Sequence, residues 1–267
     1  MSIGGLTGCS GVNTPVAGLN TPVAGIANWN YSYQAYYIAN TGNNTVGTYD
    51  YTGFSSASIA AGTINQPIGI ASGSGNPIYV ANANGTLAKC GSSGSNPYAL
   101  QNCAAPIKPT GFPDNPAGFG VLRLPSANMY YTVAASSNTI MKCNDQGNIG
   151  VIPSCSNAGG SNFNQPVAFT GSGYSTPYLL IANAGDNTIT RCDVDSITGD
   201  LSNCIKTGDN ISGPSSIYVY RSSTYITNKG DNTVTVCKNN AGVLTECNKM
   251  DYGFSSPVGI TAFEPCD

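Results

Sequence analysis

Three aspartates in comparable loops, Asp114, Asp209 and Asp251, are the side chains of this sequence that could do chemistry. Paired carboxylates act as general acid and base in glycosidases, and several carboxylates together can hold calcium. The 267-residue chain contains no His, which excludes Ser-His-Asp and Cys-His catalysis and every His-ligated metal. The sequence therefore predicts no catalytic residue, no metal ligand and no cofactor by motif, and calcium remains the alternative.

The same loops carry aromatic side chains beside polar ones. Ligand pockets typically combine apolar walls with a few placed polar groups, so these loops are the predicted binding region. The alternative is that the Phe residues pack inside the protein and the polar residues cap the loops. The candidate ligand-binding residues are Phe112, Asp114, Asn115, Asn164, Gln165, Asp209, Asn210 and Asp251.

Ten cysteines predict disulfides rather than a metal site. Metal binding favours CxxC knuckles or His partners, and the chain has neither. An even number of cysteines in regular pairs favours disulfides and therefore an oxidising compartment. We predict a secreted, periplasmic or cell-surface protein. The alternative is a cytosolic protein with reduced thiols. The local pairs are Cys90 with Cys103, Cys143 with Cys155, Cys192 with Cys204, and Cys237 with Cys247, which leaves Cys9 and Cys266 near the two ends.

Prolines followed by small and apolar residues recur about every 47 residues, a spacing typical of propeller blades. They are Pro22, Pro67, Pro116, Pro166, Pro214 and Pro257. Each of the first five begins a unit of four short strands, named A to D in chain order, and four-stranded units of this length predict an all-β β-propeller. The predicted single domain, 1–267, has repeats near 22–66, 67–115, 116–165, 166–213 and 214–256 and a composite repeat of 257–267 plus 1–21.

The composite repeat favours six blades, closed by pairing the N- and C-terminal strands. Cys9 and Cys266 would then form a fifth disulfide. Five blades with an extra terminal strand are the alternative. Within each blade, segments such as "AGDN" at 184–187 are predicted to be hairpin turns rather than calcium sites built on Asp186 or Asp231.

The segments "YVANANGTLAKC" (79–90), "LIANAGDNTITRC" (180–192) and "YITNKGDNTVTVC" (225–237) resemble the YVTN-type repeats of bacterial β-propellers. That family is related to NHL-like propellers and is often described as lactonase-like. The resemblance covers nearly the whole chain and implies a secreted or surface-exposed propeller, but its motifs say little about chemistry.

A net charge of −3 with ten scattered Lys and Arg argues against nucleic acid, which favours a basic patch, and we expect no membrane insertion. The leading hypothesis is a monomeric, non-catalytic binding module for a glycan or protein. The second is an extracellular metal-dependent lactonase or carboxylate-based lyase or glycosidase, with its site at one mouth of the central channel. The third is a purely structural surface protein. N-glycosylation sequons stand at Asn30, Asn43, Asn84 and Asn210.

Overall fold

The computed structural model describes residues 21–30, 33–50, 56–60, 64–72, 77–92, 100–101, 103–145, 152–251 and 253–260. These residues form five four-stranded antiparallel sheets in which the strands follow one another in chain order. The predicted all-β propeller with four-stranded blades is therefore confirmed.

The first two blades are the N-terminal sheets. Blade 1 contains β1 (Pro22–Asn30), β2 (Tyr33–Asn40), β3 (Thr45–Asp50) and β4 (Ser56–Ala60). Blade 2 contains β5 (Pro67–Ser72), β6 (Ile78–Asn82), β7 (Leu87–Ser92) and β8 (Leu100–Gln101).

Three further blades follow. Blade 3 contains β9 (Gly118–Arg123), β10 (Asn128–Ala134), β11 (Thr139–Asn144) and β12 (Cys155–Asn157), with a 3-10 turn at Ala135–Ser137. Blade 4 contains β13 (Pro166–Ser172), β14 (Tyr178–Asn183), β15 (Thr188–Val194) and β16 (Leu201–Thr207). Blade 5 contains β17 (Pro214–Tyr220), β18 (Ser223–Asn228), β19 (Thr233–Asn240) and β20 (Val243–Met250).

The described residues thus contain five blades, the alternative count, and not the six that were favoured. The composite sixth repeat accounts for the difference. Residues 1–20 and 261–267 lie outside the described residues, as do Cys9 and Cys266, and the described residues 257–260 belong to no strand.

Hydrophobic cores lie between successive blades. Strand B of blades 2, 3 and 4 is buried along its whole length, because both faces of a blade are covered by neighbours and such strands need apolar residues throughout. Tyr131 and Ile140 of blade 3, for example, pack with Ile181 and Leu201 of blade 4. The same arrangement joins blade 1 to 2, blade 2 to 3 and blade 4 to 5.

All four predicted local disulfides are present and each joins strand C of a blade to its strand D or to the segment beside it. Their Cα atoms lie 3.9 to 4.1 Å apart. In blades 2 to 5, a cross-link at the outer strand holds the exposed edge of the blade to its sheet. The disulfides are Cys90–Cys103, Cys143–Cys155, Cys192–Cys204 and Cys237–Cys247.

Candidate binding face

Strand A begins and strand B ends at the same end of each blade. The loops that lead into strand A and the turns between strands B and C therefore meet at one end of the propeller, which we call the mouth face. The amide of Gly185 in a B–C turn donates to the carbonyl of Asn164 in the preceding loop at 3.1 Å, and Gly230 donates to Ser212 at the same distance. Loops and turns form one continuous surface.

The residue before each repeat proline has a left-handed backbone. Its φ lies between 45° and 61° in all six repeats, including the one that begins at Pro257. Non-glycine residues adopt this region uncommonly, so its recurrence indicates a fixed geometry at the point where the chain enters strand A. These mouth residues are Thr21, Gln66, Asn115, Gln165, Gly213 and Ser256.

A repeated hydrogen bond ties the B–C turn of blades 1, 3, 4 and 5 to the mouth residue of the following repeat. The side-chain oxygen of an Asn with left-handed φ accepts from the backbone amide of the following mouth residue. Asn and Asp tolerate the left-handed region better than other side chains, which explains the residue type. The bonds run from Gln66 to Asn44 (2.6 Å), Gln165 to Asn138 (2.6 Å), Gly213 to Asn187 (2.6 Å) and Ser256 to Asn232 (2.8 Å).

Blade 2 replaces this Asn with Gly85, and the backbone makes the connection instead. The amide of Asn115 donates to the carbonyl of Ala83 at 3.2 Å. A Cβ at Gly85 would lie only 2.6 Å from the carbonyl oxygen of Pro113, so the loop approaches too closely for any side chain.

A second repeated Asn, at the end of strand B, holds the loop before strand A in blades 2, 4 and 5. Asn183, at the end of strand B, is fully buried. Its side-chain oxygen accepts from the amide of Asn164 at 3.2 Å, and its side-chain nitrogen donates to Thr190 at 2.9 Å. Asn228 makes the equivalent bonds to Ser212 and Thr235. Buried polar groups need such partners, so these side chains serve the loop geometry.

The predicted site residues do lie on the mouth-face loops, but several of them serve the scaffold. Phe112 is 4% exposed and packs edge-on against Phe119. Asn210 donates its side-chain amide to the carbonyl of Cys247 at 2.8 Å. Asn164 supplies backbone contacts to the neighbouring turn. Asn115 and Gln165 are exposed mouth residues, and their side chains face solvent.

The three candidate carboxylates do not form a cluster. Asp114 makes an ion pair with Lys108. Asp251 accepts a hydrogen bond from the amide of Gly253 at 3.1 Å, and Asp209 is exposed. Within the described ranges, no three His, Cys, Asp or Glu residues lie close enough together to hold a metal ion.

Two other aspartates, Asp186 and Asp231, lie in B–C turns and bind within their own blades. Asp186 accepts from the Thr188 hydroxyl at 2.6 Å and pairs with Lys206 at 2.7 Å. Partial burial alone would raise the pKa of Asp186, but the hydrogen bonds from Lys206 and Thr188 outweigh it and hold that pKa below its usual value. Asp231 has the same arrangement with Lys249. Each of the two carboxylates forms an ion pair with a lysine of its own blade.

Two of the sequon asparagines also have local partners. Asn43 and Asn84 each accept a hydrogen bond at 2.7 Å from the Thr two residues later. The side chain of Asn30 lies outside the described residues.

The opposite end of the propeller has a shallow groove of about 220 Å³ between blades 3 and 4. Met129, Lys142 and Ile197 are among its lining residues. The Lys142 ammonium donates to Asp200 at 2.6 Å and to the carbonyl of Thr198 at 2.7 Å. The positive charge of Lys142 in this groove is therefore neutralised by Asp200.

The inter-blade Asn residues were not predicted as functional positions. A signal for them exists, because Asn44, Asn138, Asn187 and Asn232 each precede a Thr at the start of strand C. That repeated dipeptide indicated a turn, but the sequence does not say that the side chain reaches into the next blade.

No protein-family model matches the chain, and no curated protein matches it by sequence. Among solved structures, a functionally unknown protein from Desulfotomaculum acetoxidans is similar, with TM-score 0.61 and 16% identity over 90% of this chain and 74% of that one. Virginiamycin B lyase from Staphylococcus aureus matches with TM-score 0.55 and 14% identity, over 86% and 70% of the two chains. A nidogen/laminin complex matches with TM-score 0.63 and 13% identity, over 85% and 80%.

These likenesses are to β-propeller proteins and support the fold alone, since the identities are low. The narrower resemblance to YVTN-type repeats stays a prediction. None of the described residues forms a helix long and apolar enough to cross a membrane. The four disulfides are consistent with an extracellular protein.

Proposed function

We propose that this chain is a secreted, disulfide-stapled β-propeller that binds a protein partner through its mouth face without catalysing a reaction there. The observation that carries the proposal is the set of hydrogen bonds that hold the mouth face in one conformation. Its turns and loops are fixed by Asn side chains that reach from blade to blade, while Gln66, Asn115 and Gln165 remain exposed. A surface already held in one conformation loses less entropy on binding.

A protein partner fits this face better than a glycan. Stacking against a sugar needs an accessible ring, and Phe112 is buried in the core between blades 2 and 3. Phe163 is partly buried and packs against the core between blades 3 and 4. Among the described aromatics of these loops, Phe254 alone is exposed, at 39%. The nidogen/laminin neighbour is itself a protein complex, which supports the proposal only by analogy of fold.

The enzyme alternative has less support. The carboxylate of Asp114 is paired with Lys108, and a hydrolytic site would need convergent carboxylates. A His-to-Ala variant of virginiamycin B lyase is described as catalytically inactive, and this chain has no His. Nothing therefore favours transferring the lyase activity of that neighbour to this protein.

Affinity capture with matched variants tests the proposal. The wild-type chain and a Gln66→Arg/Gln165→Arg variant are immobilised and exposed to cell-surface and extracellular extracts of the source organism. Thr176→Arg is the control, because Thr176 is exposed in the A–B loop of blade 4 at the opposite end. We expect a protein that the wild type and the control retain and the mouth variant loses. Retention by all three chains, or a glycan lost in place of a protein, would overturn the proposal.

A further inference from the structure

The disulfide of blade 3 differs from those of blades 4 and 5 in its surroundings. Cys143, in strand C, is 1% exposed, whereas Cys155, in strand D, is only partly buried. Cys155 is also one of the residues that line the groove of about 220 Å³ at the end opposite the mouth face. Thiol–disulfide exchange depends on a thiolate reaching one sulfur of the disulfide. The groove provides such a path to blade 3, from the Cys155 side.

In blades 4 and 5, a glycine of the loop that enters the blade shields the strand D sulfur. A Cβ at Gly160 would lie 3.0 Å from the strand D sulfur of blade 4, and one at Gly208 would lie 3.5 Å from that of blade 5. The corresponding glycine of blade 3, Gly111, lies against the backbone carbonyl of Cys155 instead. The entering loop therefore covers the sulfur in blades 4 and 5 but only the backbone in blade 3.

Strand D of blade 3 is also the one that depends most on its disulfide. β12 is three residues long, whereas β16 and β20 have seven and eight. Its segment nevertheless connects neighbouring blades. The amide of Cys155 donates to the carbonyl of Thr110, before blade 3, and the amide of Leu201 in blade 4 donates to the carbonyl of Ala158, both at 2.7 Å. Opening the disulfide would therefore loosen a segment that lies between two other parts of the propeller.

The charges beside the groove leave room for an anionic reactant. Lys142 precedes Cys143 in strand C and lines the groove, and its ammonium donates to Asp200 at 2.6 Å. The Lys142 side chain is 15% exposed and that of Asp200 is 54% exposed. A cation near a thiolate stabilises it, but this ion pair has no net charge. The groove therefore does not repel a thiolate, and removing the Asp200 charge would make it attractive.

We propose that Cys143–Cys155 is a site of thiol–disulfide exchange with small-molecule thiols, which enter through the groove, and that its reduction releases strand D of blade 3. A thiolate attacks the Sγ of Cys155, forms a mixed disulfide with it and expels Cys143 as a thiolate, which takes a proton from water. A second thiolate attacks the small-molecule sulfur of that mixed disulfide and expels Cys155. The two small thiols are oxidised to one disulfide, and the protein disulfide is reduced to two thiols. This exchange does not depend on the partner proposed for the mouth face.

Stepwise reduction of the native full chain tests the proposal. The oxidised protein is exposed to 2-mercaptoethanol without denaturant, and free thiols are alkylated at intervals and located by mass spectrometry. We expect Cys143 and Cys155 to be labelled severalfold faster than the cysteines of blades 4 and 5. Equal rates for the three disulfides, or earlier opening of the one in blade 4 or blade 5, would overturn the proposal.

Two groove variants test the path of the thiol. Ser156 is exposed and lines the groove, so Ser156→Trp should slow the labelling of blade 3 severalfold. Thr176→Trp is the control, because Thr176 is exposed at the same end and does not line the groove. Asp200→Asn should accelerate the labelling, since it leaves the Lys142 charge available to the thiolate. A wild-type rate in either groove variant would contradict entry through the groove.

Hydrogen exchange after selective reduction tests the release of the strand. We expect faster exchange at the amides of residues 155–158 and of Leu201, while the amides of β20 keep their rates. Unchanged exchange at residues 155–158 in the reduced chain would show that the disulfide does not hold strand D in place.

Discussion

The side-chain oxygen of Asn187 in blade 4 accepts a hydrogen bond from the backbone amide of Gly213, the residue that precedes blade 5, at 2.6 Å. Equivalent bonds leave blades 1, 3 and 5. Because a left-handed Asn supplies each one, a single residue both forms the B–C turn and fixes the entry into the next blade. These hydrogen bonds at the mouth face therefore help to fix the orientation of neighbouring blades.

Two substitutions at Asn187 separate its roles. Asn187→Gly keeps an easy left-handed backbone but removes the hydrogen bond, and we expect a loss of about 1 kcal/mol of unfolding free energy. Asn187→Ala also places an ordinary side chain at φ 58°, which should cost about 1 kcal/mol more. Urea unfolding with intact disulfides measures both. Equal stability of the wild type and Asn187→Gly would show that the inter-blade bond contributes nothing.

Two glycines with left-handed φ allow the cost of overpacking to be separated from the cost of backbone strain. Gly242 and Gly253 have φ of 86° and 72°. A Cβ at Gly242 would lie 2.7 Å from the Tyr178 ring, whereas one at Gly253 meets no described atom within 4 Å. We expect Gly253→Ala to cost about 1 kcal/mol from the backbone alone. Gly242→Ala should cost a further 1–3 kcal/mol, roughly the penalty of overpacking. Similar thermal midpoints for the two variants would be inconsistent with tight packing at Gly242.

The disulfides should contribute substantially to stability. Cys192 and Cys204 are 12 residues apart, and closing a loop of that size is worth about 3 kcal/mol in the chain-entropy account. We expect the Cys192→Ala/Cys204→Ala variant to lose about that much stability in urea while keeping its β-sheet circular dichroism. The control is the wild type under reducing conditions, which should lose more because every bridge opens. A variant as stable as the oxidised wild type would refute this contribution.

Stability should fall in acid partly through Asp186 and Asp231. Their pKa values are lowered in the folded protein, because the hydrogen bonds from lysine and threonine outweigh the effect of burial. The contribution is therefore complete above the unfolded pKa of about 4 and is lost as pH falls through the lower folded pKa.

The Asp186→Asn/Asp231→Asn variant measures that contribution. We expect a shallower decline of unfolding free energy below about pH 4 than in the wild type. The difference should stay below about 1 kcal/mol per site because both carboxylates are partly exposed. Asp209→Asn, at an exposed carboxylate, is the control and should follow the wild type. Identical acid profiles for the double variant and the wild type would exclude these ion pairs as a source of acid sensitivity.

The sequence predicted the blades well because their features are local. The proline repeat, the apolar strand B and the four spaced cysteine pairs each depend on residues near one another in the chain. For Phe112 and Asn210 the sequence left two interpretations open, a ligand site or packing and loop capping, and could not decide between them. Phe112 became a core residue through Phe119, and Asn210 binds a carbonyl 37 residues away. Contacts between blades decide such roles, and a loop sequence does not reveal them.

Hydrogen exchange of the wild-type chain, with and without the captured partner, tests the binding face most directly. The mouth-face account predicts slower exchange at residues 64–66, 114–115, 164–165 and 212–213 in the complex. Slowing confined to the opposite end, at residues 126–127, 173–176 and 195–199, would contradict it.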